Sequence, residues 1–401
     1  MPKARIQLGN AGLIKSMNKQ LVLDILLRQE MISRAELAEK TGLAMPTVMR
    51  IVETFIADGL VTEIGKGDSN GGRKPVMLQI EENALYFLGT DISGECHSMV
   101  INVKGKIVGR SQCRIEFQEG SYEFTEAVRN NMHRAIAKSG VDPKKIVFSG
   151  IATPAFEFKF IRNTNQYFAF WASADKQKLQ QLLDIGYPCV MENVARLGAV
   201  AEARFGIGKD LKDFLYIYSD QGIGMGAVID GKLENGHMGV GCEFGHTSIN
   251  FAGQQCYCGR RGCVETYASA HALVREYETN LLDAGKLTTD KNQTPLYEVL
   301  YAAEANRKEA VEAAKTTGNA LGIGIANLIN LYNPEAVIMG GLLCKTLPLY
   351  VESAVDMAKK NIFVRNAKNI PFYEASIDMY TETIGAAAWA MEKYIQQYCE
   401  K

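Results

Sequence analysis

The chain has 401 residues, enough for two or three domains of ordinary size, which excludes a single small binding module. Its 44 lysines and arginines balance 45 aspartates and glutamates, and 47% of its residues are hydrophobic, as in folded globular proteins rather than disordered chains or uniformly basic nucleic-acid coats. No apolar run approaches the roughly 20 residues of a membrane span, and the N-terminus lacks the apolar segment of a signal peptide. We therefore expect a cytoplasmic protein with no membrane partner.

The first two helices of a DNA-binding module are predicted near the N-terminus. Apolar spacing over residues 18–29 predicts a core helix whose buried stripe contains Leu21, Ile25 and Leu26 and is widened by Val22 and Leu23. Ser33, followed three residues later by Glu36, has the spacing of a capping box, and Gly42 is placed to end this second helix. The two helices are thus predicted to meet at a short turn.

A third helix and a hairpin complete a winged helix-turn-helix pattern. The helix is predicted to bury Val48, Ile51, Val52 and Phe55 and to present Thr47 and Arg50 on its opposite face to the DNA major groove. Two extended segments follow around a GGRKP loop, in which Arg73 and Lys74 are predicted to contact the DNA backbone or minor groove. A small helical subdomain with a solvated basic loop is the alternative, but four elements in this order favour DNA binding.

The rest of the chain repeats a pattern of strand, glycine turn and strand. Phe87-Leu88 leads to MVINVKGK, and Phe214-Leu215 leads through SDQGIGMG to GAVIDGK. This self-similarity predicts two related lobes with a ligand-binding cleft between them. An α/β architecture is predicted from helices near 121–139, 194–206, 263–283 and 307–331 and from strands near 145–151, 188–192 and 335–341.

A histidine and three cysteines are closely spaced in the second half of the chain. Glycines between them supply the bends needed to bring four ligands together, and one imidazole with three thiolates suits tetrahedral Zn²⁺. The predicted ligands are His246, Cys256, Cys258 and Cys263. Since four protein ligands leave no open position, a structural zinc is expected. Unrelated buried cysteines or a disulfide are the alternatives, the latter disfavoured in a reducing compartment.

These motifs together resemble the ROK family of repressors and sugar kinases, over nearly the whole chain. The resemblance rests on the helix-turn-helix with GGRKP, on LGTDISG, MENVARLGAVAEARFG and GIGMG, and on EFGHTSINFAGQQCYCGRRGCVE. It implies an actin-like sugar-kinase (ribonuclease H-like) fold of two α/β lobes behind the winged helix-turn-helix. The N-terminal module is similar to that of the family's transcription-factor branch, which includes the xylose and N-acetylglucosamine repressors.

The resemblance also implies domain boundaries and a sugar site. It places the DNA-binding domain at 1–82 and the sugar-sensing body at 83–401, with lobes at about 83–190 plus the C-terminal helix and about 191–380, and a zinc loop at 246–263. In relatives, the matching side chains contact sugar hydroxyls, which both donate and accept hydrogen bonds. By this carry-over, the ligand-binding residues are Asn193, Glu243, His246 and Glu265.

Several positions depart from the kinase pattern. Where the kinases have the aspartate that accepts a proton from the attacked hydroxyl, this chain has Val194. A carboxylate, Glu95, stands near the expected polyphosphate, and Gln221 replaces a small hydroxyl residue in the phosphate turn. Phosphoryl transfer depends on positioning and charge stabilisation, so these changes argue against kinase activity.

Three functional hypotheses follow. The first is a sugar-responsive transcriptional repressor that binds a palindromic operator as a homodimer or tetramer and is not an enzyme. The second is a bifunctional ATP-dependent sugar kinase and regulator, and the third is an interaction protein whose body responds to a partner protein. Retention of the polar residues implied to bind sugar argues against the third, and Val194 argues against the second. The first hypothesis is therefore adopted.

Overall fold

The structure is a computed structural model that describes residues 11–66, 75–118, 121–154, 170–171, 173–286, 294–377 and 380–401. Among these residues, no helix combines the length and the apolar character needed to cross a bilayer. The basic wing residues Arg73 and Lys74 lie outside the described residues.

The N-terminal module has the predicted three helices and a small sheet. Its elements are α1 (Ala11–Arg28), β1 (Ile32–Ser33), α2 (Arg34–Thr41), α3 (Met45–Ala57), β2 (Val61–Lys66) and β3 (Val76–Ile80). The three strands are ordered β1-β3-β2. The capping box is confirmed, because the Ser33 hydroxyl accepts a hydrogen bond from Glu36 N while the Glu36 carboxylate accepts one from Ser33 N. Gly42 ends α2 in the left-handed region, at φ 68°.

The prediction for α1 was wrong in its start and in one residue of its buried face. The helix begins seven residues before the predicted start, at Ala11, and its buried apolar residues are Val22, Leu23 and Leu26. Leu21, predicted to be buried, is 41% exposed. In α3, by contrast, all four predicted core residues are buried, because Ala44 and Pro46 fix where that helix starts and therefore its register.

The body contains two five-stranded sheets with the same strand order. The first sheet is formed by β4 (Tyr86–Asp91), β5 (Cys96–Asn102), β6 (Ile107–Cys113), β7 (Ile146–Thr153) and β8 (Cys189–Asn193), ordered β6-β5-β4-β7-β8. The second is formed by β9 (Phe214–Ser219), β10 (Ile223–Ile229), β11 (Lys232–Leu233), β12 (Ala336–Gly340) and β13 (Phe372–Glu374), ordered β11-β10-β9-β12-β13. In both, two antiparallel pairings are followed by two parallel ones. The predicted duplication is thereby confirmed.

Helices cover the two sheets. They are α4 (Phe124–Ser139), α5 (Lys176–Leu182), α6 (Val194–Phe205), α7 (Val264–Ala268), α8 (Ala270–Asp283), α9 (Leu296–Glu304), α10 (Lys308–Tyr332), α11 (Leu342–Thr346), α12 (Pro348–Asn361) and α13 (Thr381–Glu400). The helix predicted near 263–283 is two helices, because the chain is extended at Ser269, whose side chain caps α8. Residues 296–304 and 348–361 are helices that the sequence analysis did not predict.

The C-terminal helix α13 joins the winged module to the body. Apolar residues of α13, including Met391 and Ile395, share one buried cluster with Leu26 of α1 and Phe55 of α3. At its end, the Tyr398 hydroxyl donates a hydrogen bond to the Asp58 carboxylate, immediately after α3. The DNA-binding module therefore packs on the first lobe through a continuous hydrophobic core.

Polar contacts also cross this interface. Lys104 Nζ donates to the carbonyl oxygens of Leu27 and Gln29, each at 3.1 Å, at the C-terminal end of α1. Arg204 Nη1, on α6, lies 3.6 Å from Asp24 Oδ1 on α1. The end of α6 is consequently tied to the first helix of the DNA-binding module.

Candidate functional site

The four residues implied to bind sugar line one cleft between the lobes. This cleft has a volume of about 540 Å³, within the usual range for small-molecule sites. Its walls come from the β4–β5 turn, the start of α6, the β9–β10 turn and the segment around Glu243. Asn193, Glu243, His246 and Glu265 all line it, as do Val194 and Gln221.

Asn193 is the last residue of β8 and the N-cap of α6. Its side-chain oxygen accepts hydrogen bonds from Ala195 N at 2.9 Å and from Arg196 N at 3.4 Å. The cap satisfies two otherwise unpaired helix donors. The side-chain nitrogen of Asn193 is then the group that can donate to a ligand.

Glu265, the second residue of α7, is fixed beneath the β9–β10 turn. Its Oε2 accepts a hydrogen bond from Ile223 N at 2.9 Å, whereas its buried Oε1 has no hydrogen-bond partner in the described part of the chain. A Cβ atom at Gly222 would lie 2.7 Å from Glu265 Oε2, so the close approach of this turn requires glycine. Glu265 is therefore held in place by the backbone of the β9–β10 turn.

Glu243 lies between the cleft and the cysteine-rich segment. Burial raises the pKa of its carboxyl above the ordinary value, and the nearby His246 and Arg196 partly oppose that rise. A carboxylate that has lost water in this way gains from hydrogen bonds donated by a ligand.

The four predicted metal ligands converge in space. All their ligand atoms lie within 4.8 Å of one another. Cys256 Sγ is 3.7 Å from His246 Nδ1, and Cys258 Sγ is 3.6 Å from Cys263 Sγ. Two ligands at about 2.3 Å from a tetrahedral zinc would lie roughly 3.8 Å apart, so the donor set and its spacing fit this ion. These residues could hold one metal ion.

Tyr257 is a cleft residue that the sequence analysis missed. Its hydroxyl lies 3.2 Å from His246 Nε2, so this nitrogen faces a tyrosine while Nδ1 faces the cysteines. Burial, and then the Glu265 carboxylate, raise the pKa of Tyr257. Tyr257 thus connects a candidate metal ligand to a candidate sugar ligand. Its position between Cys256 and Cys258 was the available signal.

The other side of the cleft is acidic. Glu95 and Asp220 line it, and Asp91 lies beside Asp220. Burial raises the pKa of Asp91 to about 6 and that of Glu382, with a contribution from the Asp91 carboxylate, to about 7. The pKa of Asp220 is also raised by burial. We call Glu95, Asp220 and the adjoining Asp91 and Glu382 the acidic half, and Asn193, Glu243, His246, Tyr257 and Glu265 the ligand half.

The candidate DNA-binding surface lies on the N-terminal winged module. Arg50 is exposed and Thr47 is half-buried, and both line a small concavity of about 110 Å³ between α1 and α3. Lys15 and Asn18 of α1 line the same concavity. Lys15 is a second exposed cation on this surface, which the sequence analysis missed because it began the helix too late.

Comparisons with known proteins agree with this architecture. A ROK family model matches residues 89–393, and a winged helix-turn-helix DNA-binding model matches residues 18–62. Because the first match spans more than half of the chain, the protein belongs to the ROK family, which confirms the resemblance found in its motifs. Its fold class, a winged helix-turn-helix followed by the two-lobed ROK fold, is confirmed with it.

Individual relatives match most of the chain. The protein is 29% identical over 398 residues to the xylose repressor of Bacillus subtilis (strain 168), covering 97% of this chain and 99% of the relative. A solved ROK family transcriptional regulator, a homologue of the E. coli MLC protein, has a TM-score of 0.77 at 23% identity, covering 96% of this chain and 97% of that one. A ROK family glucokinase from Streptomyces griseus, in complex with glucose and AMPPNP, has a TM-score of 0.64 at 24% identity, covering 77% and 99%. The two structural matches show the shared fold.

Proposed function

We propose that the protein is a sugar-responsive transcriptional repressor. Residues 1–82 would form the DNA-binding domain, and residues 83–401 the sensing body, with the lobes and the 246–263 loop as delimited above. The observation that carries the proposal is the winged helix-turn-helix packed in one hydrophobic core with a body whose cleft is lined by Asn193, Glu243, His246 and Glu265. The relative named xylose repressor supports a sugar as the effector.

The cleft favours sensing over phosphoryl transfer. Val194, which lines it, has no group that accepts a proton, and Glu95 and Asp220 place carboxylates on the side where a polyphosphate would need positive charge. We therefore propose that the body binds sugar without phosphorylating it. A dimer of this chain would read a palindromic operator whose half-sites lie about one DNA turn apart.

A metal ion at His246, Cys256, Cys258 and Cys263 would be structural. We propose Zn²⁺ because three thiolates and an imidazole suit it, and because four protein ligands leave no position for water. The ion would order the loop that carries Tyr257 and the segments that carry Glu243 and Glu265.

Helix α6 is the proposed route from the sugar to the DNA. It begins at the Asn193 cap in the cleft and carries Arg204, which contacts Asp24 of α1, near its other end. A change in lobe closure that shifts α6 would move α1 and, with it, the spacing of two recognition helices in a dimer. Sugar and operator would then favour different conformations, so that the binding of one would weaken the binding of the other.

Two measurements test the proposal together. Operator fragments are titrated with the purified protein, with and without a panel of neutral and amino sugars, and the same sugars are incubated with ATP and the protein. We expect one sugar to change operator affinity and none to be phosphorylated. ATP-dependent sugar phosphorylation would favour the bifunctional kinase, and an operator affinity indifferent to every sugar would favour a partner-responsive protein.

The DNA contacts are tested by paired substitutions. Arg50→Ala should cost about 1–3 kcal/mol on the cognate operator and much less on random DNA, because a base contact is lost. Lys74→Ala should weaken binding to all sequences and reduce the dependence on salt, because a phosphate contact is lost. Equal losses for Arg50→Ala on both DNAs would contradict its role in reading bases.

A further inference from the structure

The third helix of the winged module carries two exposed methionines. Met45 and Met49 are 40% and 43% exposed, whereas the four large apolar residues of α3 that face the core of the module are buried. Positions four residues apart lie on the same side of a helix, with about 5–6 Å between their Cβ atoms. The two thioether side chains therefore form one apolar surface on the first half of α3, which we call the methionine patch.

The start of α3 fixes the direction in which this patch points. Ala44 is extended and Pro46 lies in the first turn, so the helix begins at Met45 in one register. Burial of Phe55 in that register leaves both methionines outside the core. The exposure of the methionine patch thus follows from the same residues that set the buried face of the helix.

The surroundings of the methionine patch fit a polyanion. Arg50, next to Met49, is exposed, and with Lys15 and Lys19 of α1 it lines the concavity between α1 and α3. Among the described residues, no carboxylate lines that concavity, and neither Arg50 nor Lys15 forms an ion pair. Glu53 is the only acidic residue of α3. Cations without a protein partner beside an apolar surface suit a DNA backbone beside the edges of its bases.

We propose that the methionine patch reads the 5-methyl groups of thymines in the major groove, beside the base contacted by Arg50. This inference rests on the proposed function and names a feature of the operator. Recognition helices of winged and related helix-turn-helix modules contact base edges with their N-terminal residues, which here include Met45 and Met49. On the major-groove edge, thymine carries a methyl group and the other three bases carry none.

The methionine side chain suits this contact. It is unbranched and polarizable, so it adapts its shape to a neighbouring group. Each methyl-sized apolar group that is removed from water changes affinity roughly fourfold. Successive base pairs are about 3.4 Å apart, so two methionines about 5–6 Å apart span about two base-pair steps. The operator half-site should therefore contain thymines within about two base pairs of each other, next to the base that Arg50 reads.

The operator for the test is obtained with the protein itself. The full-length protein selects binding sites from a library of duplexes that contain about two DNA turns of random sequence. Each thymine of the selected half-site is then replaced, one at a time, by uracil, which pairs in the same way and lacks only the methyl group. We expect uracil at one or two positions to weaken binding about three- to tenfold and uracil elsewhere to have little effect.

Met49→Ala tests the residue itself. Alanine keeps α3 helical, so the substitution removes the side chain without unfolding the helix. Binding to the thymine operator should weaken about three- to tenfold, and at one responsive position uracil and thymine should become equivalent, because the group that contacts the methyl is gone. The dependence of binding on salt should not change, since no phosphate contact is lost. Met45→Ala should have the same effect at the second responsive position.

Two further variants make the test specific. Met49→Leu keeps an apolar side chain of similar size and should keep the preference for thymine over uracil. Met238→Ala is the matched control, because Met238 lies on the body and is 82% exposed. It should leave the affinities for the thymine and uracil operators unchanged.

The outcomes separate this inference from the proposed function. The inference is wrong if uracil is tolerated at every thymine of the selected half-site, or if Met45→Ala and Met49→Ala both preserve the preference for thymine. The repressor hypothesis stands in either case. If the selection enriches no sequence, the proposed function itself fails, and this inference fails with it.

Discussion

The two halves of the cleft differ in how their polar groups are satisfied. In the ligand half, Glu265 and Asn193 line the cleft and are held by backbone N–H groups. In the acidic half, burial raises the pKa values of Asp91 and Glu382, with smaller contributions from Asp220 at Asp91 and from Asp91 at Glu382. The ligand half thus presents fixed polar groups, whereas the acidic half contains buried carboxyl groups whose ionisation is unfavourable.

This difference bears on whether the cleft suits a sugar or a nucleotide polyphosphate. Sugar hydroxyls need fixed donors and acceptors, which the ligand half retains. A nucleotide polyphosphate needs cations and backbone donors, and carboxylates such as Glu95 and Asp220 oppose it. On the proposed function, this two-lobed fold would bind a sugar without the conditions for phosphoryl transfer. Four predictions test this contrast, from the largest expected effect to the smallest.

The ligand half should lose its sugar binding when the proposed metal site is broken. Cys258→Ser should reduce zinc from one ion per chain to none, because structural zinc in small domains contributes on the order of 10 kcal/mol. Sugar binding should then be lost, since on the proposed function the ion orders the loop carrying Tyr257 and the segments carrying Glu243 and Glu265. Elemental analysis and sugar titration measure both effects.

Cys113→Ser is the matched control, because Cys113 lies on β6 in the first lobe, outside the candidate metal cluster. It should keep zinc and sugar binding. Operator binding should survive in both variants, since the winged module has its own core. Absence of zinc from protein purified without a chelator would contradict the metal assignment.

Removing one carboxylate of the ligand half should make the operator affinity insensitive to sugar. Glu243→Ala should weaken the sugar by about 1.5–3 kcal/mol, the usual value of a hydrogen bond to a charged group, and leave operator affinity unchanged. The variant would behave as a super-repressor that ignores the inducer. Operator titrations with and without sugar measure this.

Glu95→Ala in the acidic half is the counterpart for comparison. Glu95 is largely exposed and pairs loosely with Arg114, at 3.6 Å, so its loss should hardly change sugar affinity. Should Glu95→Ala weaken sugar binding as much as Glu243→Ala does, the division of the cleft into two halves would be wrong.

Much of this arrangement could be predicted from the sequence where local rules decide structure. The capping box at Ser33 and the register of α3 follow from residues close in the chain, and the repeated strand pattern predicted two lobes that proved to share one strand order. Leu21 was misplaced because α1 is apolar on more than one face, and only packing against α13 decides which face is buried.

The finer composition of the cleft was harder to predict. Arg196 lies one helical turn from Asn193, so its spacing was a usable signal, but the contacts of its guanidinium depend on the positions of Glu192 and Gly239. The contact between Tyr257 and His246 depends on how the cysteine-rich loop folds back. Both contacts depend on tertiary structure, and no periodicity in the sequence encodes them.

The acidic half should make the protein less stable as pH rises. The pKa of Glu382 is raised from 4.5 to about 7, so the folded state holds its proton more tightly than the unfolded state does. The resulting stability is fully present below about pH 4.5 and is lost as pH rises through about 7. Glu382→Gln should therefore raise the free energy of unfolding by about 1–2 kcal/mol at pH 8 and by less at pH 5.

Urea unfolding at the two pH values measures this effect. Glu126→Gln, an exposed acidic position on α4, provides the control and should show no such pH-dependent gain. A Glu382→Gln variant that is less stable than the unmodified protein at pH 8 would show that the carboxylate is ionised and stabilising, contrary to the description of the acidic half.

The smallest effect concerns how the ligand half communicates with the DNA. If sugar lowers operator affinity by some factor, operator must lower sugar affinity by the same factor, with typical coupling of about 1–3 kcal/mol. Asp24→Asn weakens the contact with Arg204 that ties α6 to α1, and should remove about 0.5–1 kcal/mol of this coupling while the sugar dissociation constant without DNA stays unchanged. Glu63→Gln breaks the Arg34–Glu63 pair inside the winged module and should leave the coupling intact.

Sugar that tightens operator binding would reverse the sign of the coupling and make the protein a sugar-dependent corepressor. Equal coupling in Asp24→Asn and the unmodified protein would exclude this contact from the route, and identical sugar dissociation constants with and without operator would exclude coupling altogether.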